Sequence, residues 1–562
     1  MIKMTNENKS KKGIIIGIII GIIVAIFAGV IYYINNVLIA NDKYSGTNLI
    51  INNKNITGNL KNEVIVKNDI VYLSKQDLSN FFDKYIYEEP KTKSIITTYN
   101  NKIASIGYNA NTININGETK KINAHAYIEN NVTYLPISEM AEVYGIDVKY
   151  IENTKVVTID STDREQKKGN VSSDVNVRSS TKFIAKTVDK IKKDSNVIVI
   201  SSEDNGWTRI RTENGKLGYI KTNQIKNIIT VREAKIENKQ IEGKVSIVWD
   251  YFSEYYKAPD RTNSRIEGVN VVSPAFFRLD SNGIVQANVG SEGEKYITWA
   301  HKNNYKVWPM ISNAGDGMLK VTSDIMNDYE KRQKLIEQIV KMCKTYKIDG
   351  INIDFENMKK EDKNLYSRFI IELTPRIKDL GLVISVDVTA PDGGDTWSLC
   401  FDRNVIGNVA DYIVFMAYDE YGTSSIKAGP TAGYDWVELS LNKFLKTEEI
   451  KADKIILAVP FYTRLWSEDS NKNVTSKVVY MKNINKALPS NVQKQWNDQT
   501  KQNYVEYSEE NMIKKMWIED TNSIKEKLNL IKTNELAGVA AWAKDMEDEN
   551  IWNIFKTELD IK

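Results

Sequence analysis

The segment Asp349-Gly-Ile-Asn-Ile-Asp-Phe-Glu-Asn357 places Asn352, Asp354 and Glu356 at alternate positions, between the apolar residues Ile351, Ile353 and Phe355. In an extended chain successive side chains point to opposite faces, so the polar three share one face and the apolar three the other. An acidic row turned inward is costly to bury, which favours a catalytic role over a purely structural one. Two carboxyls in one pocket push their pKa values apart, so one keeps its proton near neutrality and can act as a general acid.

Other chemistries lack their residues. Cys343 and Cys400 are too few for a disulfide framework or a zinc site, and Cys343 shares an apolar helical face with Ile336, Ile339 and Val340, which marks it as core. His125 and His301 lie in different expected domains, and HExxH, Walker, GxGxxG and GxSxG patterns are absent. A formal net charge of +3 over 562 residues, with lysines interspersed among acids, gives no case for nucleic acid. With 42% hydrophobic and 27% charged residues, the chain has material for several globular cores.

The carboxylates need a scaffold that points them into one cavity. Beyond Gly243, β-type runs alternate with helical stretches, and eight candidate strands can be counted at 244–252, 268–277, 305–312, 350–357, 382–390, 412–419, 455–462 and 538–543. Eight parallel strands of this kind predict an α/β class and a (β/α)8 TIM barrel, with the active site at the strands' C-terminal ends. The apolar face of strand four then packs on helices. Glu356 stands at the barrel mouth with Asp354 one layer below. The stretch 463–536 between strands seven and eight reads as an insertion holding a hairpin at 503–520.

Asp349-Gly-Ile-Asn-Ile-Asp354-Phe-Glu356 resembles the DxxDxDxE signature of family-18 glycoside hydrolases, over a domain placed at 243–562. The resemblance implies that Glu356 is the proton donor and that Asp354 orients the substrate acetamide. Met416-Ala-Tyr418-Asp419 resembles the family's MxYD element, in which the tyrosine contacts that acetamide, and Trp542 matches the tryptophan under the reactive sugar. Met416, Asp419, Trp542 and Asn352 are accordingly substrate-binding candidates, beside the catalytic set Glu356, Asp354 and Tyr418. Asn352 departs from the pattern, which has aspartate there, so proton sharing between two aspartates cannot operate in its usual form. That change and the Ser-Pro-Ala-Phe-Phe run ending at Phe277 are similar to the bacterial branch containing spore-cortex N-acetylglucosaminidases. The implied mechanism is substrate-assisted and retaining, and it needs no cofactor and no metal.

At the other end of the chain, Gly13–Ile34 runs without a charge and is long enough to cross a bilayer as a helix. Lys3, Lys9, Lys11 and Lys12 precede it, so the positive-inside rule holds residues 1–12 in the cytoplasm and sends the chain after Ile39 outside. The alternative is a cleaved signal peptide, for which the run is long and Leu38-Ile39-Ala40 a poor cleavage match.

Two stretches, 68–99 and 130–159, share one order of signals: a Tyr-Leu strand, a short amphipathic helix and an alternating strand pair. This internal repeat resembles the copper amine oxidase N-terminal domain, placed here as an α+β domain at 48–160. The polar stretch 161–170 reads as a linker. Residues 171–228 alternate through short strands, and their Asn-Val-Arg-Ser-Ser, Asn-Gly-Trp-Thr-Arg-Ile-Arg and Gly-Lys-Leu-Gly-Tyr-Ile-Lys segments resemble a small-β bacterial SH3 domain. Trp207 and Tyr219 in it suit either a ligand groove or a core.

Together these readings predict a membrane-anchored hydrolase of β-1,4 bonds beside N-acetylglucosamine, with peptidoglycan as its glycan partner. Chitin, a host glycan carrying N-acetylglucosamine, and a non-catalytic glycan-binding role are the alternatives. The sequence does not identify protein partners or decide between exo and endo action.

Overall fold

The computed structural model describes residues 4–40, 44–203, 205–235, 240–253 and 255–561. The chain forms two compact units, one of residues 1–99 with 104–237, the other of residues 100–103 with 238–562. Lys3 lies outside the described residues, as does the side chain of Lys9.

The first unit begins with the helix Met4–Asn36, of which Lys11–Asn36 is long and apolar enough to cross a membrane. The two repeats follow. In each, a strand bearing the Tyr-Leu pair, Ile70–Ser74 or Val132–Pro136, leads into a short helix, Lys75–Phe81 or Ala141–Tyr144. An antiparallel strand pair closes each repeat. The two Tyr-Leu strands pair with each other, Leu135 opposite Leu73, so the repeats share one apolar core.

The stretch expected as a linker is largely a strand. Gln166–Val171 lies between Asn196–Glu203 and Ile225–Arg232 in a sheet of seven strands among the described residues. Its Lys167 and Lys168 gave it a linker's composition, but ladder bonds are made by backbone groups, which side-chain polarity does not report. Gly169 marks the fit: a Cβ there would sit 2.8 Å from Ile225 Cγ2. The sheet therefore spans 166–232, wider than the expected 171–228. Its core is aliphatic, built on Val177, Val197, Ile210 and Ile220, and leaves out both Trp207 and Tyr219. Trp207 instead lies under Lys221, whose Nζ is 4.2 Å from the ring centroid.

In the second unit each of the eight expected runs contains a parallel strand: Val245–Asp250, Val271–Pro274, Lys306–Val307 continued by Met310–Ser312, Gly350–Asp354, Val383–Val388, Tyr412–Met416, Ile455–Pro460 and Gly538–Trp542. Strand eight pairs with both strand seven and strand one, so the pairing closes on itself. Both faces of such strands are covered, which explains their β-branched, near-continuous apolar composition. Strand three is interrupted at Trp308-Pro309, where proline has no N–H to give the ladder. The closure needs a residue without a side chain, since a Cβ on Gly538 would lie 1.8 Å from the Val245 carbonyl oxygen.

The expected insertion at 463–536 divides in two. Tyr462–Glu468, Val474–Tyr480, Gln495–Asn497, Gln502–Glu509 and Met512–Ile518 form a separate antiparallel sheet that includes the expected hairpin. Thr521–Thr533 is instead a helix whose Ile524, Leu528 and Ile531 enter the core around the parallel strands. Its periodic apolar face, opened by the Asp520–Ser523 capping box, places it with the helices around the ring rather than with the insertion.

Candidate active site

Strand four divides its residues as alternation requires. Ile351, Ile353 and Phe355 are buried, and Phe355 stacks on Phe369, ring centroids 5.8 Å apart, from the helix Lys363–Asp379. Asn352, Asp354 and Glu356 turn the other way. The Asn352 Oδ1 accepts from Trp249 Nε1 of strand one at 2.8 Å, and its Nδ2 donates to Asp387 Oδ1 at 2.7 Å and Ser385 Oγ at 3.0 Å on strand five. An indole N–H can only donate, so this contact fixes which end of the amide faces Trp249 and leaves Nδ2 for Asp387. The amide thus gives Asp387 a hydrogen bond without adding a charge to the cluster.

Asp354 and Glu356 are hydrogen-bonded to each other. Burial pushes the Asp354 carboxyl up, and the bond to Glu356 offsets part of that rise. Glu356 is pushed up furthest by burial, then by the charge and hydrogen bond of Asp354, and then by the charges of Asp387 and Asp419. Asp387 is raised by burial and by Asp354, against the bond from Asn352. Negative charges gathered in a site of low polarity cannot all persist, so the cluster retains a proton near neutrality.

Glu356 lies two residues past the end of its strand, and its backbone is held from strand three. Asn313 Oδ1 accepts from the Glu356 N–H at 2.8 Å, and Asn313 Nδ2 donates to the Glu356 carbonyl at 2.9 Å. Asn313 is itself buried and bonded to Thr322. This two-point clamp removes freedom from the residue that must aim a proton. Asp349, the first acid of the motif, stands apart at the strand's opposite end, where it accepts from Val307 N and contacts His301.

Strand six ends at Met416, so Tyr418 and Asp419 belong to the turn beyond it. Asp419 has a left-handed backbone, φ 57°, and its Oδ1 accepts from Tyr462 Oη at 2.8 Å and faces Arg464 Nη2 at 3.5 Å. Tyr418 is buried against Tyr462, and burial, with the charges of Asp387, Glu356 and Asp354 among the lesser causes, holds its hydroxyl well above the usual range. Trp542, half-buried at the end of strand eight, lies between Trp249 and Tyr251, ring centroids 5.8 and 5.6 Å away. Its strand end is tied to strand one by Arg261, which donates to Asp250 at 2.9 Å and to Asp545 at 2.7 Å.

The structure therefore brings buried Asn352 and Asp354 and half-buried Glu356 into one cluster whose charges reach Tyr418, with Met416 at the end of strand six and Asp419 in the turn beyond it. Asp387, Asn313, Trp249, Tyr462 and Arg464 were not anticipated. Asp387 had a readable signal, because Ser385 and Asp387 alternate with Ile384, Val386 and Val388 as the polar residues of strand four alternate with theirs. Cys343 and Cys400 are buried free thiols, and burial pushes both up.

A family model described as glycosyl hydrolases family 18 matches residues 247–547, and one described as copper amine oxidase N-terminal domain matches residues 46–159. The chain is 28% identical over 299 residues to uncharacterized glycosylase YvbX of Bacillus subtilis (strain 168), covering 51% of this chain and 84% of that protein. It is 26% identical over 250 residues to the cortical fragment-lytic enzyme of the same organism, covering 42% of this chain and 56% of that one. Among solved structures, a chitinase from Chromobacterium violaceum ATCC 12472 aligns with a TM-score of 0.50 at 22% identity, covering 57% of this chain and all (100%) of that one, a likeness of fold.

Proposed function

The chain belongs to glycosyl hydrolases family 18, and from that premise we propose that it cuts β-1,4 bonds beside N-acetylglucosamine in peptidoglycan by a retaining mechanism with Glu356 as acid and base. The observation that carries this reading is the shared polar face of strand four, where half-buried Glu356 lies hydrogen-bonded to buried Asp354 and its carboxyl is raised by burial and by the Asp354 charge. We read the closed ring of parallel strands as the (β/α)8 TIM barrel of the family, with the cluster at the C-terminal mouth.

In the proposed cycle the Glu356 proton passes to the leaving glycosidic oxygen. The acetamide oxygen of the sugar on the non-reducing side forms a bond to the anomeric carbon as the glycosidic bond breaks. Asp354 and Tyr418 hold the acetamide in line, and Trp542 carries the sugar ring. Water then opens the oxazolinium ion from the face the leaving group left, giving its proton to the Glu356 carboxylate, so configuration is retained and the acid is restored. Asn352 and Asp387 act behind Asp354 as a positioning pair.

Loss of the proton from Glu356 ends the cycle, so kcat/KM falls as pH rises through its elevated pKa. Asp387→Asn keeps an acceptor for Asn352 but removes one of the charges that raises Glu356. Its basic limb is expected to move to lower pH, because a charge that favours the protonated acid is gone. A pH profile of kcat/KM for the two proteins measures this, and an unmoved limb would assign Asp387 no part in the field on Glu356.

A wall glycan is supported by the cortical fragments in the name of one relative. It is also supported by our reading of the sheet 166–232 as a bacterial SH3-like wall module, preceded by an amine-oxidase-N-like domain and a membrane helix. In this arrangement the helix is an uncleaved anchor, residues 1–12 are cytoplasmic and the hydrolase is outside. Digestion of purified peptidoglycan and of chitin, followed by mass spectrometry, tests the substrate. Preferential release of fragments ending in N-acetylglucosamine from peptidoglycan is expected, and release from chitin alone would replace the wall with that polymer.

A further inference from the structure

The end of the apolar helix is fastened to the seven-stranded sheet by one buried side chain. Asn35 Oδ1 accepts from the Ala185 N–H at 2.9 Å and its Nδ2 donates to the Phe183 carbonyl at 3.0 Å, while Thr187 Oγ1 donates to the Asn35 carbonyl at 2.8 Å. A second strut runs from Asn176 Nδ2 to Asn36 Oδ1 at 3.1 Å, and the Ala40 N–H donates to the Thr187 carbonyl at 2.7 Å. An asparagine that bonds both a carbonyl and an N–H across one loop fixes that loop's height along the helix as well as its side.

The loop so fixed is Lys182-Phe-Ile-Ala-Lys186. Phe183 is 79% exposed and Ile184 44% exposed, with exposed Lys182 and Lys186 on either flank, while Ala185 between them is buried. Before Asn35, across Ile34, the helix carries exposed Tyr32 and Tyr33 at the end of its apolar run. Tyrosines in that position mark the level of the headgroups, where an aromatic ring has both an apolar and a wet neighbour. An apolar pair flanked by cations suits the same layer, the rings and methyls lying at the acyl boundary and the ammonium groups among phosphates.

We propose that the 182–186 loop is a second membrane contact, with Phe183 and Ile184 in the interfacial layer of the leaflet from which the helix emerges and Lys182 and Lys186 facing its lipid phosphates. The proposal rests on the reading of Gly13–Ile34 as a retained span. A bilayer is the occupant because the hydrogen bonds to Asn35 hold the loop at the helix exit. The small sheet is thereby seated on the membrane by two points rather than swinging on one, and its mobility relative to the bilayer is reduced.

The test uses the full-length protein with an environment-sensitive fluorophore on Ile184→Cys, on Tyr33→Cys, or on Ile229→Cys, which is 60% exposed on the opposite edge strand of the same sheet. Each protein is reconstituted into phosphatidylcholine–phosphatidylglycerol vesicles with and without nitroxide-labelled lipid. Quenching at 184 is expected to match that at 33 and to exceed that at 229 several-fold. If 33 is quenched while 184 remains at the level of 229, the loop is in water and the proposal is overturned with the span intact. A blue-shifted but unquenched label at 184 overturns it in favour of a protein partner or a second copy. No quenching at 33 removes the span and the proposal together.

Discussion

Glu356→Gln is expected to lose turnover by about 10²–10⁴-fold or more while keeping its fold and its glycan binding. The amide has the shape of the acid, and the two hydrogen bonds between Asn313 and residue 356 use the Glu356 backbone N–H and carbonyl, which the substitution leaves in place. What disappears is the transferable proton, and with it the base that activates water in the second step. The fold has a signed expectation of its own. A carboxyl whose pKa rises on folding lowers stability progressively as pH rises from its unfolded value toward its folded one, because the native state must then hold a proton the unfolded state releases. Burial and the Asp354 charge raise Glu356 in this way. The neutral variant should therefore melt no lower than the parent at neutral pH, even as activity vanishes. Turnover at the parental rate would remove Glu356 from the chemistry. A large fall in melting temperature would show that the side chain holds the site together rather than serving in it.

The second large effect is expected on the substrate side. If the acetamide oxygen is the nucleophile, the sugar on the non-reducing side of the cut must be N-acetylated, and matched de-N-acetylated wall should bind yet resist cleavage. Cleavage should fall by orders of magnitude, since an internal nucleophile held in line lowers the barrier by on the order of several kcal/mol. Asp354 is hydrogen-bonded to Glu356 and charged groups lie near Tyr418, so the groups assigned to the acetamide adjoin the acid. A thiazoline analogue of the cyclised intermediate should bind tightly for the same reason. In peptidoglycan the favoured cut leaves N-acetylglucosamine as the new reducing end, because the lactyl group of the muramic unit would crowd the pocket. Borohydride reduction of the digests identifies that end. Equal cleavage of both walls, or muramitol as the main product, would deprive Asp354 and Tyr418 of the roles given them.

Much of this was legible locally. Strand four announced its own division into faces because alternation is a property of one extended segment, and the buried parallel strands announced themselves by β-branched density. The repeats were visible because the same local order of strand, helix and strand pair recurs. Where polarity stood in for backbone pairing, the reading failed: Gln166–Val171 looks like a linker and is a strand bonded on both sides. The helix Thr521–Thr533 has a local signal in its capping box and periodic apolar face, but its packing against the parallel strands is a tertiary fact that the span of the insertion does not reveal.

The pair Asp354 and Glu356, their shared face, the parallel strands and the apolar helix each depend on residues a few positions apart, so a local reading reaches them. Their surroundings come from contacts between distant segments. Trp249 meets Asn352 across 103 positions of sequence, Asp387 meets it across 35, and Asn313 reaches the Glu356 backbone across 43. Protonation in particular is no property of a residue type or a motif. It follows from the burial and the charges that distant strands bring to one point, and closure of the ring between strands one and eight is what assembles them.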